Sequence, residues 1–155
     1  MPGAIETRLS DLDITLPQAP APVASYVPFV RTGNLVFVAG QIPIAGGDIV
    51  YKGACGGDLT VEDGAAAARL CALNIIAQVH AACAGDLDRV IRCVRLGGYV
   101  NATPDFVDHP KVLNAASELI VEIFGEAGRH VRIAVGASNL PLGVAVEIDA
   151  VFEIS

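Results

Sequence analysis

The strongest constraint in this chain lies near its C-terminus, where two runs alternate with a period of two. From His130 to Ala137, one set of positions holds Val131, Ile133, Val135 and Ala137, and the other holds His130, Arg132, Ala134 and Gly136. After Leu140-Pro141-Leu142-Gly143 the alternation resumes, with Val144, Val146, Ile148 and Ala150 set against Ala145, Glu147, Asp149 and Val151. A period of two is the side-chain repeat of a β-strand. Two such runs joined by a short segment predict an antiparallel hairpin. If both apolar sides lie on the core, the polar sides coincide, and Arg132 falls opposite or diagonal to Glu147 or Asp149.

The rest of the chain supplies elements to build around that pair. Residues 1–25 contain Pro2, Pro17, Pro20 and Pro22 with little periodicity, and read as an extended arm without its own fold. A single domain follows over residues 26–155. Val27 to Arg31 and Leu35 to Ala39 are short strands joined by Thr32-Gly33-Asn34, and the second, apolar on both sides, predicts a central strand covered on both faces. Glycines 46, 47, 53, 56 and 57 mark a loose connection with a short strand at Asp48 to Tyr51. Thr60, with Asp63 three residues on, opens a helix whose stripe is Val61, Ala65, Ala68, Ala72, Ile76 and Val79, ending near Gly85. A strand over about Val90 to Val100 is followed by a second helix from Asp108-His109-Pro110 to Gly125, with the stripe Val112, Ala116, Leu119, Ile120 and Ile123. The order β-β-(β)-α-β-α-β-β describes an α+β domain with two helices on one sheet face. The other face, carrying small residues with Arg132 and Glu147, suits an oligomer interface containing a polar cleft.

Composition narrows the function classes. Hydrophobic residues make up 53% of the chain and charged residues 17%, against about 45–50% and about 25% in ordinary domains. Such a surface points to self-association. No uninterrupted apolar run reaches the length of a membrane span, and the acidic start MPGAIETRLSDLD does not read as a secretory signal. A net charge of −7 opposes nucleic-acid binding, and Arg89, Arg92 and Arg95 form the only basic cluster. Cys55, Cys71, Cys83 and Cys93 have neither paired spacing nor histidines placed for zinc, so they read as reduced thiols in a cytoplasmic protein. The chain has no P-loop, no nucleophile elbow and only Lys52 and Lys111 as lysines, which removes phosphate-cradling, serine-hydrolase and Schiff-base chemistry from consideration.

What remains is the Arg132 and Glu147 pair. A guanidinium at the floor of a cleft holds a carboxylate through two charge-assisted hydrogen bonds, and a neighbouring carboxylate orients or deprotonates water. The same pair also fits a plain cross-strand ion pair on a solvated sheet, worth ~0–1 kcal/mol. Periodicity does not choose between them.

Two motifs bear on the choice. Ala39-Gly40-Gln41-Ile42-Pro43 is similar to the Ser-Gly-Gln-Ile-Pro segment of the reactive intermediate deaminases, also called the YjgF family and labelled endoribonuclease L-PSP. His130-Val-Arg132-Ile-Ala-Val, Leu140-Pro141 and Val146-Glu147-Ile148-Asp149-Ala150 resemble that family's C-terminal signature without a gap. The likeness runs from about Tyr26 to Ile154, and the Gly128-to-Gly136 segment looks like one branch of the family. It implies a fold like bacillus-type chorismate mutase, a mixed sheet with two helices on one face, assembled as a homotrimer with clefts between subunits. It also implies hydrolysis of enamines and imines such as 2-aminoacrylate to 2-oxo acids and ammonia, without a cofactor or metal. Arg132 matches the carboxylate-binding arginine and Glu147 the glutamate that positions water. Tyr26, Gly40 and Asn114 fall on pocket positions, Ala39 replaces a pocket serine, Ala134 replaces a common cysteine, and His130 is a branch-specific candidate. Two other roles are compatible: a metabolite-binding module for 2-oxo acids, and an endoribonuclease or translation inhibitor, which the net charge opposes.

Overall fold

The N-terminal arm is not extended throughout. In the computed structural model, which describes residues 1–155, Ala4–Asp11 forms a helix (α1). Nothing in its own sequence caps it. Its first amides instead donate to the Asp88 carboxylate from across the molecule, Ala4 N to Oδ2 and Ile5 N to Oδ1, each at 2.9 Å. Leu9 is buried, and Arg8 Nη1 donates to the Glu122 carbonyl at 3.0 Å. The helix therefore exists because its partner is tertiary, a signal that a local reading of residues 1–25 does not contain.

The hairpin at Gly33 forms as expected, joining β1 (Phe29–Thr32) to β2 (Leu35–Gln41). A small second hairpin, β3 (Ile44–Ala45) with β4 (Asp48–Ile49), precedes α2 (Val61–Ala82). Thr60 and Asp63 form a reciprocal capping box at its start, Asp63 N to Thr60 Oγ1 at 3.1 Å and Thr60 N to Asp63 Oδ2 at 3.0 Å. At 22 residues this apolar helix does reach the length of a membrane span, more than the sequence reading allowed, yet Ala68, Ala72, Ile76 and Val79 are buried in the core it shares with the sheet. Then follow β5 (Val90–Asn101), α3 (His109–Phe124), β6 (Val131–Ala137) and β7 (Val146–Ile154). All five residues of the expected α3 stripe are buried.

The sheet order is β1-β2-β7-β5-β6. This overturns the expected C-terminal hairpin: β5 lies between β6 and β7, parallel to the first and antiparallel to the second. The reason is the crossover. A strand that leaves through a helix and returns to the same sheet pairs in parallel with the strand it left, so β6 takes the outer edge of β5. Gly97 and Gly98 give β5 its place, since a Cβ on Gly97 would collide with Asp149 on the open face and one on Gly98 with Leu113 of α3.

Helices α2 and α3 cover one face, and the buried cluster of Val36, Val38, Leu96, Val100, Ile148, Ala150 and Phe152 lies beneath them. The opposite face is uncovered within the chain. Phe37 of β2 is 46% exposed, so that strand is interior in pairing but covered on one side only. All four cysteines are buried and free. Desolvation raises the thiol of each, that of Cys93 to about 12.

Two amide donors hold the Asp88 carboxyl below the ordinary aspartate value of 3.8. The cap is therefore fully formed above that value and is lost as pH falls through the lowered one. Asp88→Ala is expected to accelerate amide hydrogen exchange in residues 4–11 selectively, leaving α2 and β5 protected. Uniform exchange behaviour would show that the cap does not hold α1.

Candidate functional site

The site residues fall into two groups on opposite sides of the sheet. The first surrounds Glu147. Residues 38–41 of β2 slip against β7, where Val38 pairs with Ala150 and Gln41 with Ile148. This bulge swings Gly40 over Glu147, and a Cβ at Gly40 would lie 2.8 Å from Glu147 Oε1. A side chain at residue 40 would press on that carboxylate and make it swing aside. Tyr26, Gly40 and Glu147 together line a cavity of about 330 Å³, with Ala39 beside it on the apolar surface that Tyr26 shares with Phe37. Glu147 is half-buried. Desolvation, and secondarily the nearby Asp149 charge, raise its carboxyl above the ordinary 4.5.

The second group surrounds Arg132 on edge strand β6. Register places Arg132 beside Leu96 and Ala134 beside Gly98, both on the helix-covered face. The expected face assignment is thus inverted. Val131 and Ile133 point outward, 68% and 43% exposed, while His130, Arg132 and Ala134 turn toward α3. The cause is again the crossover, which lays α3 over the polar side of β6 and supplies its partners.

Those partners form a chain of hydrogen bonds. Arg132 Nη1 donates to Ser117 Oγ at 3.0 Å, and Nη2 donates to the Pro110 carbonyl at 3.3 Å. His130 Nδ1 lies 2.7 Å from the Gly128 carbonyl. A carbonyl only accepts, so Nδ1 carries the proton, and in the neutral imidazole Nε2 is then the acceptor. The Ser117 hydroxyl, 2.9 Å away, donates to it. Serine is oriented by histidine, and the guanidinium by serine. Ser117 was not singled out from the sequence, where nothing marks it apart from its position on α3, two turns beyond His109. Asn114, which was singled out, lies on the exposed side of α3 and is not among the groups that hold Arg132.

Arg132 and Glu147 do not meet in one chain. They lie on opposite faces, with β5 between their strands: Arg132 is level with Leu96, and Glu147 with Tyr99. Neither is spent in an ion pair, because the chain's ion pairs are Arg95–Asp149 at 3.5 Å, Lys111–Asp108 and Arg129–Glu126. The cross-strand ion pair allowed by the sequence is therefore not formed. A guanidinium held only by neutral oxygens keeps its charge for an anion, and a desolvated carboxylate with a raised pKa is a stronger base than a solvated one. No cluster of metal-ligating side chains occurs in the chain.

A family model described as "YjgF/chorismate_mutase-like, putative endoribonuclease" matches residues 6–152. Protein TCP17 of Trypanosoma cruzi is 46% identical over 154 residues, 99% of this chain and 96% of that protein. The crystal structure of Atu1372 from Agrobacterium tumefaciens, a protein described there as of unknown function, superposes with a TM-score of 0.91 at 48% identity, covering 97% of this chain and 92% of that one. Escherichia coli TdcF, solved with bound serine, matches with a TM-score of 0.65 at 25% identity over 89% of this chain and 94% of that one.

The hydrogen-bond chain makes a specific demand on Ser117. Ser117→Ala removes a neutral acceptor from Arg132 and a donor from His130, and should weaken binding of a small carboxylate such as pyruvate about five- to tenfold, from roughly 1 kcal/mol per net hydrogen bond. Ser117→Thr, which keeps the hydroxyl, should restore it. Calorimetric titration checks both, and equal affinity in all three proteins would show that Arg132 needs no such support.

Proposed function

Because this chain belongs to the YjgF/chorismate mutase-like family, we propose that it hydrolyses reactive enamine and imine derivatives of amino acids to 2-oxo acids and ammonia, at a site assembled between copies of the chain. The observation that carries this reading is the un-neutralised guanidinium of Arg132, anchored by Ser117 and the Pro110 carbonyl on an exposed edge strand. It is built to receive a carboxylate. The serine bound to TdcF, a molecule with a carboxylate beside an amine-bearing carbon, is in keeping with such a substrate.

Glu147 supplies the other half. The enamine first tautomerises to the imine, an electrophile at its second carbon. Glu147 takes a proton from water as the oxygen bonds to that carbon, while the imine nitrogen takes up a proton. The resulting carbinolamine collapses to the carbonyl as protonated Glu147 returns its proton to the amine and the hydroxyl proton passes to solvent, expelling ammonia. Fixing the carboxylate on Arg132 sets where the reacting carbon lies, which is the entropic share of the catalysis. Substrates this labile require little more, and no cofactor enters the scheme.

Since the two residues lie on opposite faces of one sheet, the reading requires a second chain. We assign Arg132 of one copy and Glu147 of another to each cleft, in a homotrimer whose contacts are the open sheet face around Phe37 and the exposed side of β6 at Val131 and Ile133. The free buried thiols fit a reducing compartment such as the cytoplasm.

Two expectations follow for the enzyme. Arg132→Ala and Glu147→Gln should each lower kcat/KM in a coupled amino-acid oxidase assay by on the order of 10²-fold. Refolded together as a mixture, the two inactive variants should regain activity, because some clefts would join a wild-type arginine to a wild-type glutamate. A mixture as inactive as its parts would overturn the shared cleft, and full activity in Arg132→Ala would overturn the assignment. The acid limb of kcat/KM should fall with an apparent pKa above 4.5, since protonated Glu147 cannot accept from water. Asp149→Asn should move that limb to lower pH by removing a like charge.

A further inference from the structure

The cavity beside Glu147 is walled by the arm that precedes the first strand. Residues 20–24 and Tyr26 line it as a strap, and two amides buried in α2 fix its walls. Gln78, 1% exposed, donates Nε2 to the Pro20 carbonyl at 2.7 Å. Asn74, one turn earlier, donates Nδ2 to the carbonyls of Ile42 at 3.0 Å and Ile44 at 3.3 Å. A core helix that buries two amides incurs a desolvation cost unless both are paired. Here both are committed to backbone segments that bound the same cavity.

The lining is apolar, with Pro22, Val23, Ile42, Ile44 and Leu142 about the carboxylate of Glu147, and no lysine, arginine or histidine among its residues. It therefore has no cationic side chain to hold a carboxylate with, which leaves it the other end of the substrate. Its volume of about 330 Å³ is far more than a methylene or methyl substituent fills. Leu142 adds an independent sign. It lies at this cavity with φ 61 and ψ 13, a left-handed backbone unusual for a leucine, and its side chain is 52% exposed. An apolar side chain kept exposed in a strained conformation beside a cavity fits a contact made with a ligand.

We infer that this cavity is the side-chain subsite, that the substrates are 2-imino acids bearing a large apolar substituent, branched aliphatic or aromatic, and that the strap and Leu142 determine the preference. The inference rests on the deaminase reading of Glu147 and narrows it away from 2-aminoacrylate, whose substituent is a single methylene.

Binding of the 2-oxo products tests it without depending on turnover. Wild-type protein is titrated calorimetrically with pyruvate and with the 2-oxo acids of leucine and phenylalanine. The larger acids should bind at least about tenfold more tightly, the scale on which a hydrophobic pocket separates substituents. Leu142→Asn tolerates the left-handed backbone, so it should keep or raise the melting temperature while reducing that preference about fivefold and leaving pyruvate unchanged. Val23→Ser, a neutral change at an exposed wall position, should likewise reduce that preference. Equal affinity for all three acids, no binding of any, or a preference that survives both substitutions would overturn the subsite. The corresponding imines, made by an amino-acid oxidase, separate the two ideas. Size preference in binding without turnover would sink the deaminase reading and keep the subsite, whereas turnover indifferent to size would do the reverse.

Discussion

The structure depends on the insertion of β5 between β6 and β7. Once a twelve-residue strand occupies that slot, α3 must lie over β6, and the faces of both C-terminal strands are settled. Arg132 turns toward α3 and finds Ser117, while Glu147 turns to the open face and finds Gly40. The two glycines of β5 are what admit it, one against Asp149 and the other against Leu113. A side chain at Gly98 would have to displace Leu113 in the packed core, where interiors yield little, whereas one at Gly97 would meet the ends of Asp149 and Arg95 on the open face.

That constraint also explains why so much depends on partners from far along the chain. Helix α1 is capped by Asp88, the strap is pinned by Gln78, and the hairpin after β2 is pinned by Asn74. Each bond joins a short, locally marginal segment to a position fixed in the core or on its rim. Short helices and proline-rich runs are weak in isolation, so their conformation is decided by the groups that receive them. The consequence for function is direct for the strap and the hairpin, which supply walls of the Glu147 cavity.

This difference in scale sets what was legible in the sequence. The Thr60–Asp63 cap, the stripes of α2 and α3, the Gly33 hairpin and the period-2 runs are local patterns, and each was read with its type correct. Which strand neighbours which is not local. The alternation of β6 and β7 carries no mark of the strand between them, so the inference that Arg132 faces Glu147 failed although both strands were found. The apolar side of β6 was placed on the core by the same logic. It is instead an edge strand whose outer side no element of this chain covers. Ser117 was invisible because a serine on a helix has no signature until a histidine and an arginine are brought over it. Arg132 and Glu147 stood out from the alternation itself, motif resemblance gave them roles and added Gly40 and Tyr26, and the structure places Arg132 on one face of the sheet and the other three on the opposite side.

A half-site on each face has a physical advantage over a pair in one chain. Had Arg132 and Glu147 been neighbours on one sheet, their charges would have neutralised each other, as Arg95 and Asp149 do at 3.5 Å, and binding a carboxylate would have meant breaking that pair. Separated by the sheet, the guanidinium is held by neutral oxygens and the carboxylate is partly desolvated, so neither is neutralised by an ion pair within the chain. The same separation leaves Val131, Ile133 and Phe37 exposed on surfaces that a lone chain has no means to cover. In the proposed trimer, burying those apolar groups and completing the site would be one event, so the free energy of association would also stabilise the arrangement in which the two charged groups face each other.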